Sequence, residues 1–218
     1  MWRNMAKTAA ATAAYGLLHS LLADDATKAR VRTLIGLRAY NGLYRGFYNA
    51  QAIASLVALI LYLRKLPDRE LYRARGAAAL ALRTGQVACL AYAGWAQWNV
   101  GPIRFSGLDN LALWATGSPS IPEAAVGQGP SPDPDGSMHV AGPFRQDRHP
   151  LNLAATALLW LNPVLTANGL AFNAVSTAYF LYGSHREEVR LRAAHGESYA
   201  EYQRSGVPFF TPELPTGT

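Results

Sequence analysis

The sequence predicts an all-α integral membrane protein with about five transmembrane helices, the last two forming a helical hairpin. Three observations predict that class. Only 16% of the residues are charged and 50% are hydrophobic, where a soluble domain typically carries ~25% charged residues. The charges are bunched at 24–45, 64–75, 145–148 and 185–204. Between those clusters lie long apolar stretches, and crossing a bilayer takes ~20 mostly apolar residues.

The spans follow in order. The first, 8–23, comes after Arg3 and Lys7, carries His19 and Ser20, and runs into Asp24. It has no clear small-residue exit, so it reads as a retained helix rather than a cleaved signal peptide. The second, 48–63, ends at Arg64-Lys65, and the third, 80–100, is rich in Ala and Trp. The fourth and fifth, 151–167 and 170–183, are short and joined by Ala167-Asn168-Gly169, a tight-turn signal. Pro163 is expected to kink the fourth or end it early. If the segment before Arg148 and the C-terminal tail are cytoplasmic, residues 24–47 share that side. The Lys/Arg excess there is slim but has the right sign. The expectation is a single polytopic domain, 1–218, multi-pass in the cell inner membrane with a cytoplasmic C-terminus. Within it, 1–116 forms a three-helix part and 117–141 a Pro/Gly-rich loop, leaving 142–218 as the last part. The loop includes Gly-Gln-Gly-Pro-Ser-Pro-Asp-Pro-Asp-Gly at 127–136, which cannot make a regular helix. It is open between a solvated linker and a flap over Gly142–Asn152.

Composition narrows the function classes. The net charge of +6 belongs with membrane orientation rather than nucleic acid, because no basic run is interleaved with aromatics. The single cysteine, Cys89, excludes an intrachain disulfide and a multi-cysteine metal site, and no metal site is expected. Trp95, Trp98, Trp114 and Trp160 suit an interface belt or packing. His19, among Leu and Ala at membrane depth, is costly unless paired. It reads either as a site residue or as a histidine bonded to a neighbouring helix, through Asn41 or Asn49.

Two polar clusters carry chemistry. Gly142 to Pro150 reads Gly-Pro-Phe-Arg-Gln-Asp-Arg-His-Pro, directly before an apolar run. Pro150 suits a first helical turn, where its missing N–H costs nothing. Arg148 and His149 then sit at the water–lipid boundary beside the helix N–H groups, a place to hold a polar ligand. Alone, the tripeptide is equally an interfacial anchor. After the fifth span comes Ser184-His185-Arg186-Glu187-Glu188, then Gly196, Tyr199, Tyr202, Pro208 and Pro212. Tyr199 and Tyr202 are three apart and share a helix face.

Taken in order, Gly142, Phe144, Arg148-His149-Pro150, an apolar hairpin, Glu187-Glu188, Gly196, Tyr199, Tyr202, Pro208 and Pro212 resemble the isoprenylcysteine carboxyl methyltransferase-like membrane methyltransferases. That group includes the methanethiol S-methyltransferase type and, more loosely, NnrU-type proteins. The front half is similar to the thiol-methyltransferase and NnrU branch through His19-Ser20-Leu21-Leu22-Ala23 and through Tyr40-Asn41 or Tyr48-Asn49. The resemblance implies an S-adenosylmethionine site on the cytoplasmic side, contacted by Gly136, Ser137, Met138, His139, Phe144, His149, Pro150, Leu151, Asn152 and Glu187. Aromatic faces of Tyr199 and Tyr202 suit a sulfonium. Arg148, His149 and Glu188 take catalytic roles, and His19 and Arg186 are candidates for the substrate.

Two departures matter. Phe144 and Asn152 stand where the family has tyrosines. Gly183 stands where it has the arginine for a prenyl substrate, which argues against a prenylcysteine carboxylate. The implied activity is methyl transfer to a small or lipophilic thiol at a bilayer-embedded site, with no nucleic-acid partner and the oligomeric state open. Competing readings are an NADPH-dependent membrane reductase of related architecture, an NnrU-like haem protein with His19 and His149 as axial ligands, and a scaffold without chemistry.

Overall fold

The computed structural model describes residues 1–124, 127–130, 132–133 and 135–210; Pro212 lies outside them. Among these residues the secondary structure is mostly helical. The helices are α1 (Trp2–Ala23), α2 (Asp25–Ile35), α3 (Leu37–Leu63), α4 (Gly76–Val100), α5 (Pro102–Ser106), α6 (Leu108–Ala115), α7 (Pro150–Trp160) and α8 (Ala167–Arg204). A 3₁₀ turn covers Gly142–Arg145, and two short strands, β1 (Glu70–Arg73) and β2 (Val164–Thr166), pair with each other. The chain divides into two compact units. The first holds α1–α3, α5, α6 and the start of α8 to Tyr179; the second holds α4, the 3₁₀ turn, α7 and α8 from Phe180 onward.

In the first unit, α3 packs against α1, α2, α5 and α6. It begins at Leu37, well before residue 48, where the apolar run alone would start it. The polar residues that disguise this early part each reach a backbone carbonyl. Asn41 Nδ2 donates to Ile121 O at 2.9 Å, Arg45 Nε to Phe105 O at 2.8 Å, and Asn49 Nδ2 to Ser106 O at 3.0 Å. A segment that reads as a loop is therefore a helix that holds the α5–α6 region through its side chains. Asp24 breaks α1 from α2 by accepting the N–H of Ala26 at 3.0 Å, an N-cap.

In the second unit, α4 packs along α7 and the 3₁₀ turn. The expected hairpin turn at Ala167–Gly169 is displaced. α7 stops at Trp160, and Ala167 already belongs to α8. Asn162-Pro163 accounts for the stop, because proline disfavours the helical conformation of the residue before it. The start of α8, back in the first unit, is capped by Asp68, whose Oδ1 accepts the Asn168 N–H at 2.9 Å. α8 also runs on past residue 183, because the Arg- and Glu-rich stretch that follows has good helix propensity. It breaks at Gly196, with φ 58° and ψ −128°, a conformation open to glycine and strained for other residues.

Among the described residues, one helix, Leu37–Leu63, is long and apolar enough to cross a membrane. α7, with 11 residues, is too short at ~1.5 Å rise per residue. Large apolar side chains are widely exposed, among them Leu17 and Ile53 in the first unit and Leu80, Val87 and Trp98 in the second.

Candidate active site

The second unit brings the two polar clusters together. The 3₁₀ turn and the entry to α7 set Asp147, Arg148 and His149, with Pro150 as the first helical residue and His149 as the N-cap. α8 presents Glu187 and Glu188 opposite. His149 lies between the two acids: Nδ1 is 3.5 Å from Glu187 Oε2 and Nε2 is 3.4 Å from Glu188 Oε1. Arg148 Nε donates to Glu188 Oε1 at 2.6 Å, and its Nη1 to Val207 O at 2.7 Å and Gln203 O at 3.3 Å. Gln203 Nε2 donates to the second Glu188 oxygen at 3.0 Å. Phe209 closes one side, its ring edge-on to the imidazole at 5.0 Å and its face 5.8 Å from the Arg148 guanidinium.

Glu187 is covered by a strap, Gly127-Gln128-Gly129. The Gln128 N–H donates to Glu187 Oε1. The strap lies so close that a Cβ on Gly127 would sit 2.5 Å from Glu187 Oε1, and one on Gly129 2.6 Å from Leu191 Cδ1. Gln128, Arg148, His149, Pro150, Leu151, Asn152 and Glu187 line a tight hollow that is too narrow to admit a water molecule.

The charge states follow from this geometry. Burial pushes the Glu187 carboxyl up, but the bond and charge of His149, the Gln128 N–H and the Arg190 charge outweigh it and leave it below the usual carboxylate value. Burial likewise opposes ionisation of Glu188, and His149 and Arg148 overcome it, so its pKa is lowered. Burial works against a charged His149; the two glutamates win and raise its pKa. The hollow thus sets two carboxylates against an imidazolium and a guanidinium.

Known proteins similar to this chain bear on the reading. The methanethiol S-methyltransferase of Crocosphaera subtropica is 40% identical over 69 residues, 32% of this chain and 27% of the relative. That of Pseudomonas deceptionensis is 33% identical over 85 residues, 39% of this chain and 32% of the relative. That of Mycobacterium tuberculosis is 38% identical over 61 residues, 28% of this chain and 25% of the relative. Over these stretches the chain is similar to methanethiol S-methyltransferases. The matched stretches span about a quarter to a third of these relatives' lengths. No family model and no solved structure matches the chain.

In this chain, the sequence-derived site residues divide. Arg148, His149, Pro150, Leu151, Asn152, Glu187 and Glu188 come together around the hollow. Gly136, Ser137 and His139 are exposed, and Met138 packs against a core of Leu191, Tyr199 and Tyr202. Ser198 Oγ donates to Gly136 O at 2.6 Å, tying that stretch to the end of α8. Phe144 is 2% exposed, Tyr199 0% and Tyr202 4%. Tyr202 donates its hydroxyl to Phe144 O at 2.6 Å. In this conformation these aromatics are part of the core beneath the cluster. Arg186 is exposed, whereas Glu187 beside it is buried; the step of about 100° between helix neighbours separates them.

His19 belongs to the first unit. Its Nε2 bonds the Tyr48 hydroxyl at 2.6 Å, not Asn41 or Asn49, which hold backbone carbonyls. Its Nδ1 is buried without a hydrogen-bond partner.

Sequence reasoning missed Gln128, Asp147 and Phe209. Two flanking glycines were the only signal for Gln128, and a loop's glycines do not say which surface they lie against. Phe209 follows Pro208, whose carbonyl accepts the Arg148 N–H at 3.0 Å, a pairing visible only in three dimensions.

Proposed function

We propose that this protein is a membrane methyltransferase that transfers the methyl group of S-adenosylmethionine to a small or lipophilic thiol. The observation that carries the reading is the His149–Glu187–Glu188–Arg148 cluster around the hollow.

The donor's charges suit these residues. Its amino-acid end bears an ammonium and a carboxylate, and its sulfonium adds a positive charge. Glu187, ionised and now capped by the Gln128 N–H, would hold the ammonium. The first N–H groups of α7 would hold the carboxylate, with the nearby positive charge of His149 adding to the attraction. Arg190, one turn beyond Glu187, has its Nε buried without a hydrogen-bond partner, a further donor on that side. As it stands the hollow has no room for even a water molecule, where a pocket for a whole small-molecule ligand has ~300–1,000 Å³. Admission therefore requires the 127–129 strap to lift from α8.

When bound, S-adenosylmethionine supplies an electrophilic methyl group. The chain's part is alignment in a dry site. Glu188 is committed to Arg148, Gln203 and His149. It therefore acts as the anchor of Arg148 rather than as a free base. A thiol of pKa ~8.5 is already a few per cent thiolate near neutrality and needs little base catalysis. Positive charge at Arg148 and His149 favours that thiolate. His19, hydrogen-bonded to Tyr48, and exposed Arg186 remain candidates for acceptor contact outside the cluster. The exposed apolar residues of α1, α3 and α4 support a multi-pass placement in the bilayer, from which a lipophilic acceptor would enter.

The competing chemistries fit less well. The phosphates of NADPH would face two carboxylates. Both His149 ring nitrogens are turned to glutamates, so neither is free to bind haem iron. Calorimetry with S-adenosylmethionine and with NADPH separates the first two readings: heat with the former alone is expected. Heat with NADPH alone would make the protein a reductase. Mass spectrometry after incubation with methyl-labelled donor and a thiol panel then identifies the acceptor.

A further inference from the structure

We propose that Asp147 is a positioning residue of this site: its carboxylate fixes the His149 backbone at the entry to α7 and keeps that imidazole charged and turned toward Glu187 and Glu188. Asp147 is 1% exposed. Its Oδ1 accepts the His149 N–H at 2.6 Å, while its own N–H donates to Pro143 O at 3.1 Å. Its Oδ2 is buried without a hydrogen-bond partner. A buried carboxylate with a bare oxygen is destabilising. An asparagine would keep the bond to His149 and leave a neutral NH2 unpaired in place of a charged oxygen, a smaller cost, so the fold alone does not require the charge.

The charge has a specific audience. Arg148 and His149 face it from its own stretch, and Tyr92 of α4 and Tyr202 of α8 feel it from the packed elements. Burial pushes the Asp147 carboxyl up to about 6, against the pull of the His149 N–H and of the His149 and Arg148 charges. His149 thus has a carboxylate behind its backbone as well as the two before its ring. The arrangement goes beyond the four residues of the proposed function, and only the third measurement below rests on that reading.

The test compares the full chain in detergent with Asp147→Asn and Asp147→Ala. First, thermal melts are recorded without ligand. The folded-state pKa of Asp147 is raised, so its destabilisation is present above about pH 6 and fades as pH falls. Asp147→Asn should melt higher than wild type at neutral pH, with the gap closing in acid. Second, NMR titration of the His149 ring should give a lower pKa in Asp147→Asn. Third, S-adenosylmethionine should bind both variants about tenfold more weakly at neutral pH, the scale of an indirect coupling between sites. An unshifted His149 titration in Asp147→Asn overturns the proposal, whatever the melts show. If Asp147→Ala does not fold, the asparagine variant decides alone. If wild type fails to bind the donor, the proposed function falls, while the first two measurements still judge Asp147.

Discussion

Arg148 Nε lies 2.6 Å from Glu188 Oε1, joining the turn before α7 to α8 across 40 residues of sequence. Both side chains are largely buried, at 14% and 12% exposure. Removing one partner leaves the other charge uncompensated. Glu188→Ala is expected to cost about 2–4 kcal/mol, somewhat below the ~3–5 kcal/mol of a fully buried pair. Arg148→Lys should restore little, because Arg148 spreads two nitrogens over three acceptors and an ammonium cannot copy that fork. Denaturation in detergent measures both.

Glu187→Gln keeps the shape of the side chain and removes its charge. With the donor's ammonium unpaired, affinity for S-adenosylmethionine should fall by about 2–5 kcal/mol, the cost of breaking a buried hydrogen-bonded charge pair. His149→Ala should fall in the same range. Calorimetry reads both, and circular dichroism checks that each still folds. Wild-type affinity in both would remove the cluster from the site.

Stability should depend on pH in a definite sense. The folded pKa of His149 is raised, so its contribution is complete below the unfolded value of ~6.5 and is lost as pH rises through the folded one. Those of Glu187 and Glu188 are lowered, so their contributions are present above ~4.5 and are lost as pH falls through the folded values. Melting temperature is expected to peak between about pH 4.5 and 6.5. The decline on the alkaline side should flatten in His149→Ala.

Gly127→Ala should disturb the strap. The new methyl would meet Glu187 Oε1 at 2.5 Å, and overpacking of this kind costs about 1–3 kcal/mol. The strap is expected to detach, losing the Gln128 bond to Glu187. Limited proteolysis should cut at 127–130 faster than in wild type, with little change in the global melt. Gly46→Ala, where a Cβ meets nothing within 4 Å, serves as the control.

Much of the site was legible because its chemistry is local. Arg148-His149-Pro150 announces a helix entry through proline's fixed φ, and Glu187-Glu188 are acids beside an apolar run. Their order along the chain, with Gly196 and the tyrosines, pointed to the methyltransferase resemblance. The helix limits were less legible. Asn41, Arg45 and Asn49 lower the apolar signal of α3, yet they lie in helix because carbonyls elsewhere satisfy them. Tyr199 and Tyr202 read as ligand faces because residues three apart on a helix share a side, but spacing does not say whether that side meets a ligand or the core.

The amino-acid sequence alone determined the helical class, the charged clusters and the identity of the residues that bear charge, since these depend on composition and on neighbours a few positions apart. Tertiary structure decided which acid faces which ring nitrogen of His149, that Gly127-Gln128-Gly129 covers Glu187, and that Asp147 is buried behind the imidazole. Those relations join residues tens of positions apart. Distance, burial and the resulting protonation states exist only once the chain has folded back on itself.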